Sequence, residues 1–167
     1  MRILGVDPGS LFTGWGLVGG SLDQPVLLDS GEIRLPSSQP LPTRLHLLTV
    51  EFTKLVGSLE PTGAAVEMAF HGANARSALQ LAHARGVLLA VLAGAGVPVA
   101  EYTPATIKKS ITGNGRAEKA QVQGMVERLV RSDLPGRGLD RSDALAVALC
   151  HMASVGRSAV IVRYRSR

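Results

Sequence analysis

Arg2-Ile3-Leu4-Gly5-Val6-Asp7-Pro8-Gly9 constrains this chain more than any other stretch, because a short apolar run ends there on a carboxylate and is then turned. Ile3, Leu4 and Val6 read as a buried strand, Pro8-Gly9 redirects the chain, and Gly14 to Val18 reads as a second strand. An aspartate closing a buried strand, beside glycines that expose backbone, is placed to hold a metal or to meet a phosphate. Asp-Pro-Gly also punctuates strands for purely conformational reasons. Both readings stay open on this stretch alone.

The pattern that follows sets the fold class. Residues 2–7, 13–19 and about 25–35 read as three strands joined by Gly, Pro and Ser turns, an antiparallel meander with a bulge or tight bend at Ser30-Gly31. Residues 36–42 form a polar, proline-bearing loop. Leu45, Leu48, Phe52, Leu55, Val56 and Leu59 then recur at helical spacing over 43–59. Ala64 to Met68 is a short buried strand with Glu67 near its end. Asn74 caps a long helix to about Ala93, with Leu79, Ala82, Gly86, Leu89 and Ala93 along one side. A fifth strand covers Val97 to Tyr102, and Pro98 near its start suggests a sheet edge. Thr103-Pro104 opens a short helix, another resumes near Glu118, and a final helix runs from about Asp140 to Val155. Val160 to Val162 reads as either a strand or a mobile end. Strands and helices in this order predict an α/β fold with one mixed five-stranded sheet flanked by helices. One domain is expected over residues 1–156, followed by a basic C-terminal tail, 157–167.

Charge narrows the partner. Formal net charge is +5, yet residues 1–67 hold four Lys/Arg against seven Asp/Glu, while residues 68–167 hold fourteen against six. Segregation of this kind suits a polyanionic partner, with an acidic pocket set apart from a basic surface. Cys150 is the only cysteine, which excludes an internal disulfide and suits a reducing, cytoplasmic setting. It sits in an apolar run and reads as a buried, inert thiol. No signal-peptide layout and no run of roughly 20 consecutive apolar residues is present, so no membrane role is expected.

Four acids stand at unusual places: Asp7, Glu67, Asp140 and Asp143. If the strands that end on Asp7 and Glu67 are parallel neighbours, both carboxylates emerge at the sheet edge where open α/β folds place ligands. Asp140 and Asp143 are three residues apart and share a helix face. The apolar run Ala144 to Leu149 makes that helix heavily packed, so its acids need neutralising. Magnesium, which prefers hard oxygen ligands, meets the need. Two such ions about 4 Å apart can activate water and stabilise the leaving oxygen of a phosphodiester. Taken singly, Asp140 serves as a helix N-cap, Asp143 as a first-turn acid, and Glu67 as half of a salt bridge.

Gly5-Val6-Asp7-Pro8-Gly9, Thr13-Gly14-Trp15-Gly16, Val66-Glu67-Met68-Ala69-Phe70 and Asn74 to Leu79 with Ala84-Arg85-Gly86 resemble the RuvC family of Holliday-junction resolvases. Pro104, Lys108, Gly113-Asn114-Gly115, Ala117 to Gln123 and Asp140 to Ala146 continue the resemblance in the same order, over about residues 2–155. The resemblance implies a ribonuclease-H-like fold, a homodimer, and Mg2+-dependent, two-metal nicking of four-way DNA junctions, with Mn2+ as a possible substitute. It also implies the branch-migration proteins RuvA and RuvB as partners. It carries catalytic and metal-binding roles to Asp7, Glu67, Asp140 and Asp143. Phe70 matches an aromatic that stacks at the crossover, a contact worth ~1–3 kcal/mol in single-strand binders. Lys108 and Lys119 match basic positions near the cleaved phosphate or the DNA backbone. Arg76, Lys109 and Arg116 are further DNA-contact candidates on charge alone. Met68, Ala73 and Arg76 depart from the family pattern, which bears on local DNA contacts and cleavage-sequence preference.

Two other readings compete. An ATP-handling fold of the actin or hexokinase kind also follows an Asp-x-Gly turn, but needs a second phosphate loop and more chain; no G-x-x-x-x-G-K-[ST] occurs. A non-catalytic or RNA-processing relative would bind structured nucleic acid on the same fold.

Overall fold

The elements follow in the order β1 (Arg2–Asp7), β2 (Phe12–Gly20), β3 (Pro25–Arg34), α1 (Leu41–Leu59), β4 (Gly63–Glu67), α2 (Ala75–Gly94), β5 (Val99–Tyr102), α3 (Pro104–Thr112), α4 (Lys119–Val130) and α5 (Leu139–Arg165). The computed structural model describes residues 1–68, 74–130 and 139–165, with the side chains of 139–141 and 157–165 excepted. The five strands form one sheet in the order β3-β2-β1-β4-β5. β1 pairs antiparallel with β2, from Arg2 opposite Gly19 to Asp7 opposite Gly14. On its other side it pairs parallel with β4, from Ile3 opposite Gly63 to Val6 opposite Val66. β5 extends the parallel half and lies at the edge, as Pro98 suggested.

Strand alternation then divides the core into two layers. Leu4 and Val6 point into a cluster with Leu48, Phe52 and Val56 of α1 and Ala84, Leu88 and Leu92 of α2. Ile3 joins Ala65, Ile107, Val122, Val126 and Leu145 on the opposite face, under α3, α4 and α5. Full burial of a Phe52 or a Leu88 contributes ~1.5–3 kcal/mol each, an upper figure because the unfolded chain already covers part of that surface.

Two glycines decide how closely α5 approaches. Gly5 and Gly16 are paired across β1 and β2. A Cβ on Gly5 would fall 2.0 Å from the Ala144 carbonyl oxygen, and one on Gly16 would fall 2.5 Å from Leu145 Cδ2. The pair forms a trough in which α5 lies at Ala144-Leu145, and the residue just before that contact is Asp143.

Several boundaries differ from the sequence reading for local reasons. α1 begins at Leu41, two residues early, because Pro42 suits the first helical turn and Pro40 is its N-cap. The register shift between β2 and β3 leaves Leu28 unpaired, where Leu17 faces Asp29 and Val18 faces Leu27, so the irregularity is not at Ser30-Gly31. Gly31 instead makes room for the Trp15 ring, 2.5 Å from where its Cβ would stand. α2 buries Ala84, Leu88 and Leu92 rather than the expected stripe, and Leu79 on that stripe is 59% exposed. By length and composition α2 is apolar enough to cross a membrane; here one face of it walls the core. α5 continues to Arg165, so 160–162 are helical rather than a strand, and most of the expected tail is helix.

Candidate active site at the carboxyl edge of the sheet

The parallel pairing of β1 and β4 delivers two of the four acids to one place. Asp7 and Glu67 each stand one residue beyond the last matched pair, Val6 and Val66, so they sit level on adjacent strands. By alternation both belong to the face that α5 covers, with Ile3 and Ala65. The helix trough brings in the third, since Asp143 directly precedes the Ala144 contact on Gly5.

Glu67 and Asp143 line a cavity of about 160 Å3 together with Lys108 of α3 and Lys119 of α4, over apolar walls from Ile107 and Val122. Lys119 Nζ lies 2.6 Å from Asp143 Oδ2. Burial first, and then the Asp143 charge, push the Glu67 carboxyl above its ordinary value, with Lys119 and Lys108 pulling the other way. The two lysines therefore leave the acids incompletely neutralised. A larger cavity, about 600 Å3, opens between the C-terminal ends of α1 and α2, but Glu60 is its single acid, so size does not mark the chemistry.

Asp7 is half-buried at its strand end and does not line the smaller cavity. Asp140 lies on α5 one turn before Asp143, and its side chain is outside the described residues, as is all of Phe70. Among the described residues no group of three His, Cys, Asp or Glu stands ready to hold a metal. The donor set nonetheless suits a hard divalent ion: Glu67 and Asp143 offer carboxylate oxygens to one cavity, with Asp7 level with Glu67 on the neighbouring strand.

The remaining basic candidates scatter around this edge. Lys108 and Lys119 join the acids. Arg76 is exposed in the first turn of α2, Lys109 is exposed in the last turn of α3, and Arg116 is exposed in the loop before α4. His151, two turns below Asp143, lies with Nδ1 2.9 Å from the Tyr102 hydroxyl, and burial lowers its pKa. Arg85 pairs with Glu101 across α2 and β5.

Sequence reasoning missed the buried polar residues. The described residues include three, Thr13 at 0%, Ser142 at 1% and Arg44 at 7% exposure. A signal for Arg44 was present: it stands four residues before Leu48, on the apolar stripe of α1, where a charged residue has no ordinary place.

The raised Glu67 pKa carries a signed prediction. A carboxyl raised on folding adds stability that is full below its unfolded value, near 4.5, and lost as pH rises through the raised value. Glu67→Gln is therefore expected to raise Tm in EDTA at about pH 7 and to lose that advantage near pH 4. Thermal melts at the two pH values check this; an unchanged or lowered Tm at neutral pH would contradict the cause given for the shift.

Known proteins share the sequence pattern and the fold. The profile of the family described as "Crossover junction endodeoxyribonuclease RuvC" matches residues 3–151. The protein of that name from Magnetococcus marinus is 42% identical over 153 residues, 91% of this chain and 84% of its own length. Its counterpart from Alkalilimnicola ehrlichii is 48% identical over 151 residues, 90% of each chain. Among solved structures, Thermus thermophilus RuvC in complex with a Holliday junction substrate superposes with a TM-score of 0.87 at 29% identity, over 95% of this chain and 96% of that one. The yeast mitochondrial Holliday junction resolvase Ydc2 shares the fold, with a TM-score of 0.63 at 13% identity over 90% of this chain and 78% of its own. With the family match spanning residues 3–151 and relatives 42% and 48% identical over 91% and 90% of its length, this chain belongs to the RuvC family of crossover junction endodeoxyribonucleases.

Proposed function

We infer that this protein is a structure-selective endodeoxyribonuclease that resolves four-way DNA junctions by paired, symmetric nicks through hydrolysis of phosphodiesters. The observation that carries the reading is the meeting of Glu67 and Asp143 with Lys108 and Lys119 in one cavity, level with Asp7, in a chain of this family.

Asp7, Glu67, Asp140 and Asp143 would hold two Mg2+ ions, or Mn2+ in their place. Bound there, the ions supply activation of the attacking water and stabilisation of charge on the leaving oxygen. The chain's own residues do the rest. Lys108 and Lys119 draw the phosphate to the acids, with Lys119 half-exposed beside Asp143. Ile107 and Val122 keep the floor of the cavity apolar, which strengthens each charge interaction above it. Arg76, Lys109 and Arg116, with the basic tail at 157–167, add salt-sensitive contacts to the DNA backbone around the nuclease domain of residues 1–156. Phe70 stacks on a base left unpaired at the crossover.

Two opposed nicks need two sites related by a two-fold axis, and a homodimer provides them. The stripe of Leu79, Ala82, Gly86 and Ala93 on α2, exposed in the single chain, is the face that supports this assembly. RuvA and RuvB, as branch-migration proteins, would deliver the junction in the cytoplasm.

The test is direct. Incubated with Mg2+ and a mobile four-way junction, the protein is expected to nick two opposed strands at matching positions, with duplex DNA and structured RNA left intact. Junction binding without paired nicks would sink the catalytic reading in favour of a binding protein on the same fold.

A further inference from the structure

Of the described buried polar side chains, Thr13 and Arg44 act on the same segment, the turn that follows Asp7. Thr13 Oγ1 donates to the Gly9 carbonyl at 3.2 Å. Arg44 Nη1 donates to the Ser10 carbonyl at 2.9 Å. The Leu35 amide donates to the Leu11 carbonyl at 2.8 Å. Three successive carbonyls are thus held by three separate parts of the chain: β2, α1 and the end of β3. Gly9 is required where it is, because a Cβ there would fall 1.8 Å from the Phe12 carbonyl oxygen.

Arg44 is the anomaly among these. It is the one Lys, Arg, Asp or Glu among the described buried residues, its Nε has no hydrogen-bond partner, and it forms no ion pair with a described acid. A buried cation without a carboxylate is costly, and an apolar residue of similar size at such a site is often neutral or better for stability. One carbonyl bond does not account for keeping it there. What the arrangement does achieve is a fixed path for the chain leaving Asp7.

We propose that Arg44, with Thr13 as its second contact, is a positioning residue for the reaction: it clamps the Gly9-Ser10 turn and thereby fixes the orientation of Asp7 at the sheet edge. The role rests on the nuclease reading for its catalytic consequence, but the clamp itself is a property of the turn. Arg44 touches neither DNA nor metal in this role, so its loss acts on turnover rather than on junction affinity.

The experiment compares wild type, Arg44→Met, Arg44→Lys and Thr13→Val for junction nicking, junction binding, Tm, and deuterium exchange over residues 8–12. Arg44→Met is expected to keep its Tm and junction affinity, to exchange faster over the turn, and to nick on the order of tenfold more slowly at saturating junction, as loss of preorganisation does. Arg44→Lys retains one donor within reach of Ser10 and should recover part of the rate. If Arg44→Met fails to fold, Thr13→Val, which removes one hydroxyl at constant shape, should show the same exchange and a smaller loss of rate. Unchanged exchange over the turn, or unchanged nicking in both variants, would overturn the proposal, as would a loss of nicking matched by a loss of junction affinity. If wild type itself does not nick, the nuclease reading fails, and exchange still reports whether the clamp exists.

Discussion

Replacing Asp7 by Asn is expected to slow junction nicking on the order of 10^3-fold, about 4 kcal/mol of transition-state stabilisation, while junction affinity stays within about twofold. The asymmetry follows from where Asp7 lies. It closes the central strand, bonded on one side to β2 and beside β4 on the other, so an amide of nearly the same shape leaves the strand pairing in place. What Asn lacks is the negative charge that a divalent ion needs among the strand-end acids. Losing that charge removes no attraction for DNA, because a carboxylate repels phosphate. Steady-state nicking at saturating junction, set beside binding measured in Ca2+, separates the two quantities. Normal nicking by this variant would remove Asp7 from the catalytic set.

Gly5→Val is expected to cost about 3 kcal/mol or more of folding stability, at or beyond the top of the range for overpacked cores. Most overpacked sites relieve the strain by turning a side chain. Here the added Cβ would meet backbone, the Ala144 oxygen at 2.0 Å and the Ala148 nitrogen at 2.6 Å, within an α-helix that cannot give locally. Relief requires the whole of α5 to lift from β1 and β2. Because that helix carries Asp140 and Asp143, nicking should also fall under conditions where the variant remains folded. Urea denaturation checks the first claim, and nicking well below the midpoint checks the second. A variant that melts like wild type would mean that α5 is not seated in the glycine trough.

The sequence disclosed the layers and the carriers of the acids better than it disclosed their surroundings. The strand runs, the α1 stripe and the Thr103-Pro104 helix start are local signals, and each survived folding because tertiary contacts reinforced them. The α2 stripe misled. Ala and Leu lie all round that helix, so the face that packs is chosen by α1 and the sheet, not by the helix's own pattern. The length of α5 was hidden for a similar reason, since its periodicity weakens beyond Val155 while the backbone remains helical. Asp7, Glu67, Asp140 and Asp143 were visible as acids at improbable places, yet the level placement of Asp7 and Glu67 depends on β1 and β4 being parallel neighbours, which no local pattern states. The Lys119–Asp143 ion pair and the Arg44 contact with Ser10 join residues 24 and 34 positions apart, and only the fold reveals such partners.

One measurement tests the central claim, that these acids form a divalent-metal site for junction cleavage. Crystals of the protein soaked in Mn2+ would show, by anomalous scattering, which side chains the ions contact. The expected result is density enclosed by the carboxylates of Asp7, Glu67, Asp140 and Asp143, beside Lys108 and Lys119. Mn2+ bound elsewhere, or none at this edge under conditions where the protein nicks junctions, would contradict it.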